Sequence, residues 1–152
     1  IVMSTDGVLL DYNAAYQHAW MSAFGVLPLL RDKNAYWAKD RWDVNHLSGQ
    51  ELDYFRSSFN AEFWKTIPPI PNALKACEDL CAAGFELDCV SAIEPQFQST
   101  RLENLKDCGF PIERVIATSG KKNGFSPKAQ ALKELRPVVF ADDFFALFSW
   151  YS

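Results

Sequence analysis

Four short apolar segments of the sequence are each followed at once by polar residues that could do chemistry. These residues are Ser4-Thr5-Asp6-Gly7, Ser91-Ala92, Thr118-Ser119 and Asp142-Asp143. If the apolar segments are parallel strands, the polar residues meet at the carboxyl edge of one sheet, where open α/β sheets bind ligands. Asp6, Asp142 and Asp143 would then be crowded together. Clustered carboxylates need a cation, and their hard oxygen atoms favour Mg2+ as a metal cofactor.

The same edge would also hold groups that bind a phosphate oxygen. Ser91 offers a hydroxyl group, and Lys128 lies at the start of a predicted helix, so an ammonium group and a helix N-terminus come together. Carboxylates, Mg2+ and an anion of phosphate size indicate phosphoryl transfer. We therefore expect the partner of this chain to be a small phosphorylated or otherwise anionic molecule.

Each of these residues also has a purely structural interpretation. The alternatives are a turn-capping Asp6, an ordinary strand-end hydroxyl at Ser91, a surface lysine at Lys128 with Lys121 or Lys122 in its role, and a loop-opening pair at Asp142-Asp143.

The elements that must position these residues alternate between strands and helices. The apolar segments have strand length and cover residues 1–3, 85–90, 114–117 and 138–141. Helical spacing, together with helix-start and helix-stop residues, marks 72–83, 96–107 and 126–135. This order predicts an α/β fold, a Rossmann-like three-layer parallel sheet with helices on its faces.

A long segment separates the first strand from the helix that leads to the second. A crossover needs about 30 residues, and helix 72–83 already supplies it, so residues 12–68 are predicted to be an insertion. The chain then divides into a core domain, 1–11 plus 69–152, and a small all-helical cap subdomain, 12–68. A lid is expected because the insertion leaves at the carboxyl edge, and helices that only enlarge the core are the alternative. The aromatic residues of the insertion are expected to form mainly its own small core: Tyr12, Tyr16, Trp20, Phe24, Tyr36, Trp37, Trp42, Tyr54, Phe55, Phe59, Phe63 and Trp64.

In the order of its motifs the chain resembles the haloacid dehalogenase superfamily. Residues 4–11, Ser-Thr-Asp-Gly-Val-Leu-Leu-Asp, are similar to the first motif of that family, D-x-D-G-[TV]-L-x-D after an apolar strand. Val90-Ser91 resembles the second motif, Lys128 resembles the lysine of the third, and residues 138–143 resemble the apolar strand and Asp-Asp of the fourth. The helical insertion matches the C1 cap of the family, with residues 16–24 as its opening helix.

The resemblance implies a Mg2+-dependent phosphatase of small cytosolic phosphomonoesters, in which Asp6 protonates the leaving group and Lys128 assists catalysis. The nucleophile of the family is the first Asp of D-x-D, where this chain has Ser4. A serine hydroxyl carries no charge, ligates Mg2+ weakly and is a poor nucleophile unless a base such as Asp6 activates it. Two functions are therefore predicted: a hydrolase with altered chemistry, or a catalytically dead protein that binds an anionic ligand.

Composition excludes several other classes of protein. The 152 residues are 49% hydrophobic and carry a net charge of -4, which argues against a disordered chain and against a nucleic-acid partner. No apolar stretch approaches the roughly 20 residues that a membrane span needs. The four cysteines form no C-x-x-C pattern, which favours free thiols in the cytoplasm over a zinc site. The apolar residues 144–152 are expected to form a last strand or helix against the sheet.

Overall fold

A four-stranded parallel sheet lies at the centre of the structure, a computed structural model that describes residues 1–118 and 126–144. Its strands are β1 (Val2–Ser4), β2 (Asp88–Ser91), β3 (Arg114–Ala117) and β4 (Phe140–Ala141), in the order β3-β2-β1-β4. Each neighbouring pair is parallel, with Ser4 beside Val90 and Ser91 beside Ala117. The predicted α/β fold with a parallel sheet is therefore confirmed, and the carboxyl ends of these strands share one edge.

The second strand begins at Asp88, whereas the sequence predicts Phe85. Helix α5 (Ala73–Ala82) precedes this strand, and Gly84 follows the helix with a φ of +90°. The amide of Phe85 donates to the carbonyl of Leu80 at 3.1 Å, so Phe85 still belongs to the hydrogen-bonded end of the helix. An apolar run in the sequence does not show where the helix ends and the strand begins.

Two further helices lie where the sequence predicts them. Helix α6 (Gln98–Asp107) follows a single 3-10 turn at Pro95–Phe97, and helix α7 (Pro127–Leu135) precedes β4. Ser126 caps α7, because its Oγ accepts from the amide of Lys128 at 3.3 Å and Pro127 occupies the first helical turn. This cap fixes Lys128 in the first turn of α7, close to the carboxyl edge of the sheet.

The chain between β1 and α5 is helical. It contains α1 (Tyr12–Phe24), α2 (Ala38–Arg41), α3 (Gly49–Arg56) and α4 (Ala61–Lys65). Helix α1 begins four residues before the predicted opening helix, because Asp11 caps it through a hydrogen bond from the amide of Ala14 at 2.9 Å. The segments that lead into and out of these helices run side by side. The backbone amide of Asp11 donates to the carbonyl of Pro68, and the amide of Ile70 donates to the carbonyl of Leu9, both at 2.8 Å.

Apolar side chains cover both faces of the sheet. On one face Val2 and Val90 pack with Ala131 and Leu132 of α7. On the other face a larger cluster joins Met3 and Cys89 to α5 and α6, and it also includes Phe63 of α4. The aromatic residues of the insertion are thus continuous with the core on that face. The division into core domain and cap stays a prediction.

Some sequence predictions concern residues outside the described part of the chain. Lys121, Lys122 and Ser119 belong to this group, as do residues 145–152 of the apolar chain end. Among the helices that are described, none combines the length and the apolar character needed to cross a membrane.

Candidate functional site

Lys128 joins the end of the first strand to the end of the fourth. Its Nζ donates to Ser4 Oγ at 2.9 Å and to Asp142 Oδ2 at 2.6 Å. The side chain of Lys128 is 10% exposed and that of Asp142 is fully buried, so this ion pair is largely buried. Asp142 Oδ1 also accepts from the amide of Phe144 at 2.9 Å, which fixes the carboxylate in place. The structure therefore brings three of the predicted site residues into direct contact.

Asp6 is held by an arginine that the sequence analysis did not single out. Arg101 of α6 is completely buried, and its Nη2 lies 3.0 Å from Asp6 Oδ1 and 3.2 Å from Asp6 Oδ2. The guanidinium carbon lies 5.0 Å from the centre of the Trp64 ring, and Nη1 donates to Asn104 Oδ1 at 3.3 Å. Burial raises the pKa of Asp6, while Arg101 and Lys128 oppose that rise. Arg101 is therefore the main counter-charge of Asp6.

Replacing Arg101 by methionine is expected to lower the free energy of unfolding by about 3 kcal/mol, because Asp6 then either stays charged without its main partner or has to take up a proton. The loss is placed low in the usual range because the Asp6 side chain is 28% exposed. Denaturant unfolding measures the effect. The double variant Arg101→Met with Asp6→Asn is expected to recover most of it.

The matched control is Arg114→Met. Arg114 pairs with Asp88 on the neighbouring strand, but its side chain is 56% exposed. Such a pair contributes less than about 1 kcal/mol. Equal losses in Arg101→Met and Arg114→Met would contradict the assignment of Arg101 as a buried counter-charge.

Asp143 lies over the backbone of Gly7. A Cβ at position 7 would stand 1.9 Å from Asp143 Oδ2, and Gly7 has a φ of +80°, which side chains rarely adopt. Glycine is thus needed here both for the turn after β1 and for the approach of the carboxylate. Burial, followed by the neighbouring charge of Asp142, raises the pKa of Asp143 to about 6.

Ser91 does not join the other predicted residues. It is fully buried, and its Oγ shares a 2.7 Å hydrogen bond with Thr5 Oγ1, which is also fully buried. A cavity lies at the carboxyl edge of the sheet, and it is lined by the next residue, Ala92, rather than by Ser91. In this arrangement Ser91 links the ends of β1 and β2, and its predicted role as a phosphate ligand stays a prediction.

The carboxylates do not form a metal-ligand cluster in this arrangement. Within residues 1–118 and 126–144, no three His, Cys, Asp or Glu side chains lie close enough together to hold a metal ion. Asp142 is paired with Lys128 and Asp6 with Arg101, so each already has a cationic partner. The donor set as it stands does not fit a Mg2+ centre made by Asp6, Asp142 and Asp143. That centre stays a prediction, and we assign no chemical step to it.

A cavity of about 430 Å3 opens above these residues. The charged and polar residues that line it are Ser4, Asp6, Lys128 and Asp143 at the carboxyl edge and Asn13, Lys39 and Arg56 from the insertion. The aromatic side chains that also line it come from the helical insertion: Tyr12, Tyr16, Tyr36, Trp37, Phe55, Phe59 and Trp64. The volume lies within the range of about 300–1,000 Å3 that is typical of small-molecule sites. The site is therefore a pocket with a polar base and aromatic sides.

Arg101 is the functional residue that the sequence analysis missed, although the sequence carries a signal for it. Phe97, Arg101, Asn104 and Cys108 follow helical spacing, and along this face Arg101 and Asn104 are buried while Phe97 and Cys108 are half-buried. A charged residue on such a face needs a partner of opposite charge, and Asp6 is that partner. The sequence did not reveal which carboxylate Arg101 would meet, since the two residues are far apart in the chain.

No protein-family model, curated protein or solved structure gives a significant match to this chain. The class that the fold and the site define is therefore a broad one. Within residues 1–118 and 126–144 the chain is an α/β protein with four parallel strands in one sheet and an aromatic-lined pocket at the carboxyl edge of that sheet.

Proposed function

We propose that this chain is a haloacid dehalogenase-like binding protein, which holds a phosphorylated or similar anionic small molecule and hydrolyses it at most feebly. The observation that carries the proposal is the contact between Lys128 and Ser4. A lysine ammonium group has donors only, so Ser4 Oγ is the acceptor and Lys128 cannot take its proton. The residue at the nucleophile position is thus bound to a cation and not to a base.

The charge around Asp6 supports the same proposal. Asp6 would have to act as the base for Ser4, yet its carboxylate is held by Arg101. Among the residues that the structure describes, no hydrogen bond joins Asp6 to Ser4. Without such a contact the Ser4 hydroxyl keeps its proton and remains a weak nucleophile.

The lining of the pocket favours an anion. Lys128 is joined there by two exposed cations of the insertion, Lys39 and Arg56. The carboxylates in the lining are Asp6 and Asp143, and Arg101 already compensates Asp6. The ammonium group of Lys128 has three donors and directs two of them to Ser4 and Asp142, so a small anion can accept the third. Because Asp142 already balances the charge of Lys128, Lys39 and Arg56 supply the favourable charge for the anion, and such charge-assisted hydrogen bonds are the strong ones.

Two measurements on the purified protein test the proposal. Calorimetric titration with inorganic phosphate is expected to show saturable binding, both with Mg2+ and with a chelator. Phosphate release from a general phosphomonoester such as p-nitrophenyl phosphate is expected to stay at background in the presence of Mg2+.

Three results would contradict the proposal. Lack of phosphate binding would remove the binding function. If the protein has ordinary phosphatase rates and Asp6→Asn abolishes them, it is instead a hydrolase in which Ser4 is the nucleophile and Asp6 its base. Binding that requires Mg2+ would favour the predicted metal centre over a site built from the cations of the chain alone.

A further inference from the structure

Two groups of aromatic rings line the pocket above Ser4 and Lys128. In the first group, Tyr16 contacts Phe55 edge-on with ring centres 5.2 Å apart, and Tyr12 stacks on Trp64 at 6.1 Å. The second group is the pair Tyr36 and Trp37, whose ring centres are 4.9 Å apart. The pocket therefore offers ring faces and edges from several parts of the insertion.

Both groups are tied to the charged base of the pocket. Trp64 lies against the guanidinium group of Arg101, which holds Asp6. The ring of Tyr36 lies 4.6 Å from that of Phe144, the residue after Asp142-Asp143. Burial, followed by the charge of Asp143, raises the pKa of Tyr36 to about 12, as expected of a hydroxyl near the carboxylates. The aromatic sides and the anionic subsite thus belong to one pocket.

The rings of the second group keep a large exposed surface. Trp37 is 59% exposed and Tyr36 is 42% exposed, whereas Phe55 of the first group is only 3% exposed. Both residues line the same pocket as Lys128. Large aromatic rings that stay exposed inside a pocket gain most from a flat ligand that covers them.

We infer that the ligand is an aryl phosphate or a closely similar aryl anion, which deepens the proposed function and rests on it. The anionic group accepts from Lys128 Nζ and Ser4 Oγ. The aryl group covers the rings of Tyr36 and Trp37. A volume of about 430 Å3 accommodates a phosphate group with a one-ring or two-ring aromatic body. An alkyl phosphate makes the same anionic contacts without stacking on the rings.

Calorimetric titration with three probes tests the inference: inorganic phosphate, phenylphosphonate and butylphosphonate. In the two phosphonates a C–P bond, which phosphatases do not hydrolyse, joins the anionic group to the rest of the molecule. The comparison of affinities therefore does not depend on turnover. Phenylphosphonate is expected to bind about tenfold more tightly than butylphosphonate, since stacking on one or two rings has this magnitude.

Variants of Trp37 locate the aromatic subsite. Trp37→Ala is expected to reduce the preference for phenylphosphonate to about threefold or less while the affinity for inorganic phosphate stays unchanged, and Trp37→Phe retains most of the preference. The matched control is Tyr54→Ala, because Tyr54 is 57% exposed and does not line the pocket. This control is expected to bind all three probes like the parent.

The possible failures are distinguishable. Equal affinity for the two phosphonates, with inorganic phosphate still bound, would overturn the aryl ligand and leave the proposed function intact. A preference that Trp37→Ala leaves unchanged would also overturn it. If none of the three probes binds, the anion site itself is wrong and the proposed function falls together with the inference.

Discussion

Phosphatase turnover is expected to appear when Ser4 is replaced by aspartate, with a gain on the order of 10^3-fold over the parent in the presence of Mg2+. In other hydrolases, loss of the catalytic nucleophile lowers the rate by a factor on the order of 10^4 to 10^6. Restoring it recovers only part of this factor here, because Asp6 remains paired with Arg101. The variant places a carboxylate at the end of β1, beside Lys128, where the resembled family has its nucleophile.

Phosphate release from p-nitrophenyl phosphate measures this gain. Ser4→Asn is the matched control, since asparagine has the shape of aspartate without its charge or its nucleophilic carboxylate. Turnover in Ser4→Asp alone would support both the family resemblance and the binding function of the natural chain. Equal and negligible turnover in the two variants would mean that the motif-one assignment of residues 4–11 is wrong.

Replacing Lys128 by methionine is expected to abolish phosphate binding and to lower the free energy of unfolding by about 3–5 kcal/mol. The stability loss arises because the Asp142 side chain is fully buried and would lose its cationic partner. The loss of binding has a different cause, because Lys128 donates to Ser4 and supplies the ammonium group of the proposed anion site. Denaturant unfolding and titration with inorganic phosphate measure the two effects separately.

A second variant separates the two roles of Lys128. In Lys128→Met with Asp142→Asn, neither charge is left buried, so most of the stability is expected to return while phosphate binding stays absent. Lys133→Met is the control on the same helix, since Lys133 is exposed and should change stability by less than about 0.5 kcal/mol. Phosphate binding by the double variant would contradict the place of Lys128 in the anion site.

These predictions share one physical feature of the site, the compensation of two of its carboxylates, Asp6 and Asp142, by cations of the chain. Lys128 neutralises Asp142, and Arg101 neutralises Asp6. A charge removed from either pair leaves its partner in a poorly solvated position, which costs more than the pair itself contributes. The same compensation leaves Ser4 beside an ammonium group and supports binding of an anion over attack on it.

Much of the fold could be predicted from local patterns. The strands and the helices after them follow from apolar runs, proline and glycine positions and helix caps, such as Ser126 before Pro127. The start of β2 could not be predicted, because the hydrogen bond from Phe85 to Leu80 depends on how the preceding helix ends. Ser91 shows a similar limit. A serine at a strand end can bind a phosphate oxygen, but the hydroxyl of Ser91 forms a hydrogen bond with Thr5 and so joins the ends of two strands.

The sequence by itself determined the parallel α/β sheet. It also determined that Ser4, Asp6, Lys128 and Asp142 lie at or near the carboxyl edge of that sheet. It did so because chain order and strand polarity decide which end of each strand carries a residue. Only the tertiary structure decided which charges pair, since Arg101 and Asp6 are 95 positions apart in the chain. It also brought Tyr36 and Trp37 beside that edge, because side chains from separate helices and loops meet only when the core has packed.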